Sequence, residues 1–210
     1  MDKIYEAAAK YVVLSQYEYR FVLSKSRKCR IVKVNFLHED FYHLTGLQYI
    51  KEIDLPKNRK RILDDIIFRH KITDSILEKS KTYTNPLQDK DIKSRIDHLR
   101  FLEEYLDNDN IIKVFTTRNQ QNMSSLINAD YIIESQIKGD AVYIFLKQRT
   151  EAPDYYCVVS FFKKDNAVYS GEILYWMQKL KILGNGVKII YQHPDYDKLR
   201  QKRNSTLENH

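Results

Sequence analysis

The chain is poor in the residues on which disordered and disulfide-bonded proteins depend. Its 210 residues include five glycines, four prolines and two cysteines. So little glycine and proline excludes a low-complexity or disordered protein. Cys29 and Cys157 lie in apolar, strand-like runs without a CxxC or Cys/His spacing, which argues against a disulfide framework and a metal site. We therefore expect buried thiols in a reducing cytoplasm, and we predict no cofactor and no metal.

Long apolar segments are missing as well. No stretch approaches the ~18 apolar residues of a membrane-spanning helix. The residues after Met1 are of mixed polarity and do not form the apolar segment of a signal peptide. The sequence accordingly predicts no membrane contact and a cytoplasmic location.

The chain does contain enough apolar material for a sizeable core. Hydrophobic residues make up 43% of it, with 16 tyrosines and nine phenylalanines. We predict a single α+β domain over residues 1–197. We expect the charged tail over residues 198–210 to be disordered.

The net charge of +7 is concentrated near the two ends. Residues 1–33 carry eight Lys/Arg against three Asp/Glu, and residues 178–203 carry seven against two. The middle, residues 34–177, has twenty against twenty-two. Basic ends on a nearly neutral body suggest either a positive surface for a polyanion or lysines that only maintain solubility.

Apolar periodicity predicts an N-terminal helix and β-hairpin, several helices, and then a mostly antiparallel curved sheet. The expected helices are Lys3–Gln16, a helix carrying His43, one from Pro56 to about Arg69, a short one from a Thr73 cap to about Ser80, and the long helix Asp89–Leu106. The expected strands are Tyr17–Leu23, Cys29–Leu37, Ile111–Thr116, Asp130–Ser135, Val142–Lys147, Tyr155–Lys163 and Val187–Gln192. The segment Ile173–Ile182 is compatible with a strand or a helix. Because Tyr155–Phe162 is apolar on both alternations, it is typical of a central strand covered on both faces.

Several common catalytic signatures are absent from the sequence. Gly184-Asn185-Gly186 lacks the Lys-Ser/Thr of a phosphate-binding loop, and there is no HExxH or GxSxG. Acidic pairs such as Asp64-Asp65 are typical of solvated helix faces rather than of acid/base couples. The side chains that remain as candidates for catalysis are histidines, hydroxyl-bearing residues and positively charged residues.

His43 is the best candidate for proton transfer. At ~100° per residue it shares a predicted helix face with Leu47 and Ile50, beside Leu44. It is therefore either a hydrogen-bonded core histidine or a proton-transfer group at the edge of a cleft. Gly46, one turn along, leaves room for tight helix packing or for a ligand.

Three further residues could assist such a histidine. Ser80, at the end of a short helix between two lysines, could contact a phosphate or be a plain helix-end residue. Arg95 could clamp a phosphate with its planar guanidinium or form a weak surface salt bridge. Ser160 lies in the most apolar strand, where its hydroxyl either bonds the neighbouring strand or opens onto a cleft.

A basic hairpin is the candidate nucleic-acid surface. Lys25, Arg27, Lys28 and Arg30 are flanked by aromatic residues, and Lys163 ends the Ser160 strand. Cations for the backbone and rings for bases are what single-stranded nucleic acid binds. The alternative is an ordinary solvated hairpin.

Together these residues resemble a known family. The Phe-x-His-Leu-Thr-Gly-Leu pattern of Phe41–Leu47 carries most of the resemblance. The order of five further blocks adds to it: Lys79-Ser80, Ser94-Arg95-Ile96, Ala129-Asp130-Tyr131, Ile144-Phe145-Leu146 and Ser160-Phe161-Phe162. From about Tyr5 to about Lys181 the chain is similar to the phage-associated Barnase–EndoU–colicin–RelE-like nuclease domains, fourth subclass.

The resemblance implies helices before a curved antiparallel sheet and metal-independent RNA cleavage. In that chemistry the ribose 2′-hydroxyl attacks phosphorus and leaves a cyclic phosphate, which needs a base, an acid and cations. His43 would be base or acid, Arg95 a phosphate clamp, and Ser80 and Ser160 hydrogen-bonding partners, with His98 or a tyrosine as the second acid. We expect RNA as partner, an inhibitor (immunity) protein as another, and a toxin or phage-conflict role. The alternative is a catalytically inactive RNA- or protein-binding module on the same fold.

Overall fold

The computed structural model describes residues 2–26, 28–56, 58–85, 91–116, 127–164 and 168–198, and it has the α+β fold expected. Its helices are α1 (Lys3–Leu14), α2 (Asp40–Leu44), α3 (Ile62–Ile67), α4 (Asp74–Leu77), α5 (Lys81–Thr84), α6 (Ile92–Leu99) and α7 (Leu102–Asp107), with 3₁₀ turns at Leu47–Tyr49 and Arg59–Arg61. Its strands are β1 (Glu18–Lys25), β2 (Lys28–Val34), β3 (Asn110–Val114), β4 (Tyr131–Ile137), β5 (Asp140–Gln148), β6 (Tyr155–Lys163), β7 (Glu172–Leu183) and β8 (Gly186–Gln192).

The first helix forms for local reasons that the sequence shows. The Asp2 side chain caps α1 by accepting the N–H of Tyr5 at 3.1 Å. One face of α1 is fully buried, and its largest residue, Tyr11, donates its hydroxyl to the Leu37 carbonyl at 3.0 Å. The helix thereby packs against the segment that leads from β2 to α2.

Several predicted helices are shorter than expected. The prediction of one long helix over Asp89–Leu106 is wrong, because the helix is interrupted between α6 and α7. There the N–H of Phe101 bonds the carbonyl of His98, three residues back, which ends the α-helical register. Thr73 caps α4 as predicted, but Ser80 begins α5 rather than ending a helix.

The sheet is a closed barrel, and the expectation of a simply curved antiparallel sheet is wrong. Seven strands follow the order β1-β2-β6-β5-β4-β3-β7, and β7 pairs back onto β1. Glu18 lies opposite Ile182, and Ser24 lies opposite Tyr175 along this closing pair. The β2–β6 pair is parallel, and β8 is added to β7. The ambiguous segment Ile173–Ile182 is therefore a strand, and it closes the barrel.

The apolar residues divide into two clusters on the two faces of the sheet. The larger cluster joins the barrel-facing side chains to α1 and the other helices. The smaller one covers the opposite face of β4 and β5 with Phe115, Ala129, Ile132, Tyr143, Phe145 and Tyr169. Strand β6 contributes Phe161 to the first cluster and Phe162 to the rim of the second. The prediction of a central strand covered on both faces is met only in part, because Val158 and Phe161 are the buried residues of β6 and both belong to the first cluster, while the outer face is partly exposed.

Two smaller expectations concern the cysteines and the membrane. Cys29 and Cys157 are free thiols and both are only partly buried, so the expectation of buried thiols is met only in part. Within the described ranges, no helix has the length and apolar character needed to cross a bilayer.

The two faces of β6 give a test of the barrel core. Phe161 is fully buried, so Phe161→Ala should lower the free energy of unfolding by about 3–5 kcal/mol through lost transfer energy and a cavity. Phe162→Ala is the matched control and should cost less, because Phe162 is only partly buried. Urea denaturation measures both, and equal losses would contradict the assignment of Phe161 to the inner face.

Candidate functional site

Helix α2, which carries His43, is fixed to the barrel by a largely buried ion pair. Arg149, just after β5, donates to both carboxylate oxygens of Asp40, with Nη1 to Oδ1 at 3.3 Å. The same guanidinium bonds the side chain of Asn35 at 2.7 Å and its carbonyl at 3.2 Å. The carboxylate of Asp40 also accepts the N–H of Leu37 at 2.9 Å. The end of β2, the residue following β5 and the first turn of α2 are therefore held as one unit.

His43 is partly buried, unlike its predicted neighbours Leu47 and Ile50, which are core residues. Its ring lies edge-on to Tyr42 at 5.8 Å. Burial lowers its pKa below 6.5, the positive charge of Arg59 lowers it further, and Asp40 opposes both effects. At neutral pH the imidazole is therefore mainly uncharged and able to accept a proton.

Gly46 ends α2, so the single helix face proposed for His43, Leu47 and Ile50 is wrong. Gly46 has φ of +79°, which favours glycine, and the 3₁₀ turn Leu47–Tyr49 follows it. A Cβ at this position would lie 3.3 Å from both Arg95 Cδ and Ile92 Cγ1. The close approach that the sequence suggested is real, and α6 is the element that approaches.

Arg95 connects this glycine turn to the Ser160 strand. It is 7% exposed, and its guanidinium lies 5.9 Å from the Tyr49 ring centre and 5.6 Å from that of Phe162. Both α2 and α6 pack against β6. Three separately predicted blocks, those of Gly46, Arg95 and Phe162, thus meet in one place.

Ser160 lies two residues before Phe162 on β6 and is partly buried. It pairs with Phe145 of β5 beside a β-bulge. A bulge commonly redirects side chains near functional sites. Lys163, at the end of the strand, forms an exposed ion pair with Asp140 at 2.7 Å.

Ser80 is fully buried and engaged elsewhere. Its hydroxyl donates to Glu52 Oε2 at 2.9 Å and caps α5 by accepting the N–H of Tyr83 at 3.3 Å. Glu52 also accepts the hydroxyl and the N–H of Thr82, and these hydrogen bonds lower the pKa of Glu52 to about 2. The geometry gives Ser80 a structural partner and does not place it beside His43.

The basic hairpin points away from α2. Lys25 is paired with Glu172, Arg30 donates to the Tyr131 hydroxyl at 3.3 Å, and Lys28 is exposed. Arg27 lies outside the described residues. Since α2 follows the far end of β2, the hairpin turn is about 20 Å away along the strand at ~3.3 Å per residue.

A basic segment that sequence reasoning missed lies beside His43 instead. The 3₁₀ turn Arg59–Arg61 is exposed throughout. The Arg59 guanidinium lies 5.9 Å from the ring centre of Tyr42, and Lys60 Nζ lies 3.7 Å from Glu39. The charge run Lys57-Asn58-Arg59-Lys60-Arg61 is visible in the sequence, but only these tertiary contacts bring it to α2.

Three cavities formed by the described residues lie away from His43 and Arg95. Cavities of about 540, 890 and 390 Å³ have linings that include neither His43 nor Arg95. The largest contains Lys179, whose pKa is lowered by burial to about 8. Its ammonium donates to the Asn108 carbonyl at 2.8 Å and to Asn110 Oδ1 at 2.9 Å, so it holds the end of α7. Within the described ranges, no three His, Cys, Asp or Glu side chains form a group that could hold a metal.

A comparison with known families decides what kind of protein this is. Residues 3–201 match the model described as phage-Barnase-EndoU-ColicinE5/D-RelE like nuclease4. The chain belongs to this family. The resemblance found in the sequence is thereby confirmed over nearly the whole chain. No curated protein and no solved structure gives a significant match.

The charges around His43 in this nuclease-like domain predict its titration. By NMR, His43 should titrate below pH 6.5, and Arg59→Gln should raise its pKa because a nearby positive charge is removed. Since the folded pKa lies below the unfolded one, this residue should destabilise the fold as the pH falls below about 6.5. Lys60→Gln, whose charge faces Glu39, is the control and should shift the pKa less. A pKa unchanged by Arg59→Gln would refute this electrostatic assignment.

The contact between Gly46 and α6 gives a second prediction. Gly46→Ala should lower the free energy of unfolding by more than the roughly 1–2 kcal/mol of left-handed backbone strain, because the new Cβ also meets Arg95 and Ile92. Gly139→Ala is the matched control, since Gly139 has φ of +91° and nothing within 4 Å of an added Cβ. Thermal or urea denaturation compares them, and equal losses would show that the approach of α6 adds nothing.

Proposed function

We propose that this nuclease-family domain is a metal-independent endoribonuclease. The observation that carries the proposal is the family match over residues 3–201. The ribose 2′-hydroxyl attacks the adjacent phosphorus, the bond to the 5′-oxygen breaks, and a 2′,3′-cyclic phosphate remains. This reaction requires a proton acceptor, a proton donor and positive charge near phosphorus.

His43 is the proposed base. Its lowered pKa keeps it uncharged at neutral pH, and it is only partly buried, so it can reach a substrate at the surface. For the second acid, His98 lies three residues after Arg95, on α6. Its Nδ1 lies 2.7 Å from the Ser94 carbonyl, which orients the ring, and in the protonated ring Nε2 would carry the proton that goes to the 5′-oxygen.

Arg95 and Ser160 are the proposed phosphate-binding pair. Packing between two aromatic rings fixes the Arg95 guanidinium, and a rigid cation loses little entropy when it binds an anion. The absence of a side chain at Gly46 gives Arg95 room to lie against the turn that ends α2. Ser160 is the proposed hydrogen-bond partner. Ser80 has only a structural role in this proposal, because it hydrogen-bonds Glu52 and caps α5.

The biological setting follows from the same family match as part of the proposal. A nuclease of phage-related type would act as a toxin or conflict effector on RNA in the cytoplasm. Such an enzyme endangers the cell that makes it, so an inhibitor protein is the expected partner.

Cleavage of RNA in the presence of EDTA tests the proposal. Wild-type protein should produce fragments ending in 2′,3′-cyclic phosphate, and His43→Ala should slow cleavage by roughly 100-fold or more, the usual contribution of a general base. His38→Ala, which removes an exposed histidine before α2, is the control and should retain activity. Intact RNA with the wild-type protein, or equal activity of the two variants, would contradict the proposed role of His43.

One observation favours a second function, that of an inactive RNA-binding module. Arg95 is only 7% exposed, whereas a phosphate clamp must reach its ligand. If the fold only binds RNA, the wild type and His43→Ala should bind equally and neither should cleave. The same EDTA experiment, run with a binding assay, separates the two functions.

A further inference from the structure

The 3₁₀ turn Arg59–Arg61 and the helix α3 that follows it form one exposed surface, which we call the basic ridge. All three residues of the turn are exposed cations. Helix α3 buries Ile62, Leu63 and Ile66. The opposite side of the ridge is therefore open to solvent.

An unusually exposed aromatic residue ends the ridge. Phe68, the C-cap of α3, is 76% exposed, the largest fraction among the described large hydrophobic residues. Arg61, Asp64 and Phe68 are all exposed and are spaced three and four residues apart, so they share one helix face. At ~1.5 Å per residue, Arg61 and Phe68 are about 10 Å apart along the helix axis.

The basic end of the ridge adjoins the His43 helix. Arg59 lies over Tyr42, and Lys60 faces Glu39, the N-cap of α2. The Lys60–Glu39 pair is long and exposed, so exchange of Glu39 for a phosphate would cost little. Cations and an exposed ring thus lead up to the proposed base.

We infer that the basic ridge binds single-stranded RNA next to His43, with backbone phosphates at Arg59 and Arg61 and a base stacked on Phe68. The inference takes the polymer from the proposed function and adds where the strand lies. Positive charge combined with an accessible ring fits unpaired nucleotides, since bases in a duplex are already stacked. Asp64 lies between the two ends and limits the number of phosphates that the ridge can hold.

The ridge replaces the β-hairpin as the RNA surface. Lys25 of the hairpin is already paired with Glu172, and the hairpin turn lies at the other end of β2 from α2. A contact at that turn lies about 20 Å from α2 along the strand, whereas the ridge contacts α2 directly. A strand bound on the ridge would place a phosphate beside His43 without any rearrangement of the barrel.

Anisotropy of a fluorescein-labelled single-stranded RNA tests this, with full-length His43→Ala protein in EDTA so that binding is separated from cleavage. Arg59→Gln/Lys60→Gln/Arg61→Gln should weaken binding at least tenfold. It should also reduce the slope of log K against log salt concentration by about 1.4, given ~0.7 for each of the two phosphate contacts. Phe68→Ala should weaken binding roughly fivefold or more through lost stacking. Lys79→Gln/Lys93→Gln/Lys188→Gln removes three other exposed lysines and should have little effect.

Several results would overturn the inference. These are equal losses in the ridge and control triple variants, a loss confined to Lys25→Gln/Lys28→Gln/Arg30→Gln, equal affinity for a duplex, or binding to phosphatidylserine vesicles in place of RNA. Melting temperatures show that each variant folds, and Phe68→Ala alone tests the ridge if the triple variant does not fold. If the ridge binds RNA while wild-type protein leaves RNA intact, the endoribonuclease proposal fails and the ridge stands. If wild-type protein cleaves RNA and the ridge variant keeps both Kd and KM, the endoribonuclease proposal stands and the ridge inference fails.

Discussion

The ion pair between Arg149 and Asp40 is the interaction on which the geometry around His43 depends. Helix α2 has five residues, far too few for a helix to be stable alone. The pair is largely withdrawn from solvent, with side chains 12% and 14% exposed, and the Arg149 fork also bonds Asn35. Without it, an isolated carboxylate would remain half-buried at the start of α2, which is costly. The positions of His43, Gly46 and the α6 contact all follow from this anchor.

The two ends of β2 determine which charged segments can lie near His43. A hairpin turn and the segment after its second strand necessarily lie at opposite ends of that strand. The N-terminal excess of positive charge is therefore divided: the hairpin lies at one end of β2, and the path to α2 begins at the other. The 3₁₀ turn Arg59–Arg61 belongs to a nearly neutral stretch of sequence, yet it lies beside His43. The positive surface beside His43 is therefore defined by the position of these residues in the fold and not by the net charge of each sequence segment.

Local patterns predicted most strands and the Thr73 cap, because each depends on neighbouring residues alone. The β1–β7 pairing could not be predicted, because it joins residues some 150 positions apart and strand patterns do not specify a partner. The same applies to the hydrogen bond between Ser80 and Glu52 and to the contact of Arg59 with Tyr42. The glycine of the His-Leu-Thr-Gly-Leu block did signal a close approach, but it could not name Arg95 as the neighbour.

In the proposed mechanism, the charges around His43 would connect RNA binding to proton transfer. Burial lowers the pKa of His43 and the charge of Arg59 lowers it further, so the imidazole is mainly uncharged at neutral pH. A phosphate bound at Arg59 would neutralise that charge, and the imidazolium formed when His43 takes the 2′-hydroxyl proton would then be less disfavoured. Asp40 raises the pKa of His43, but its carboxylate is already shared with Arg149. The anchor that positions the histidine is therefore also a partner of the carboxylate that favours its charged form, and in the proposed mechanism the charge at Arg59 is the one that substrate binding would change.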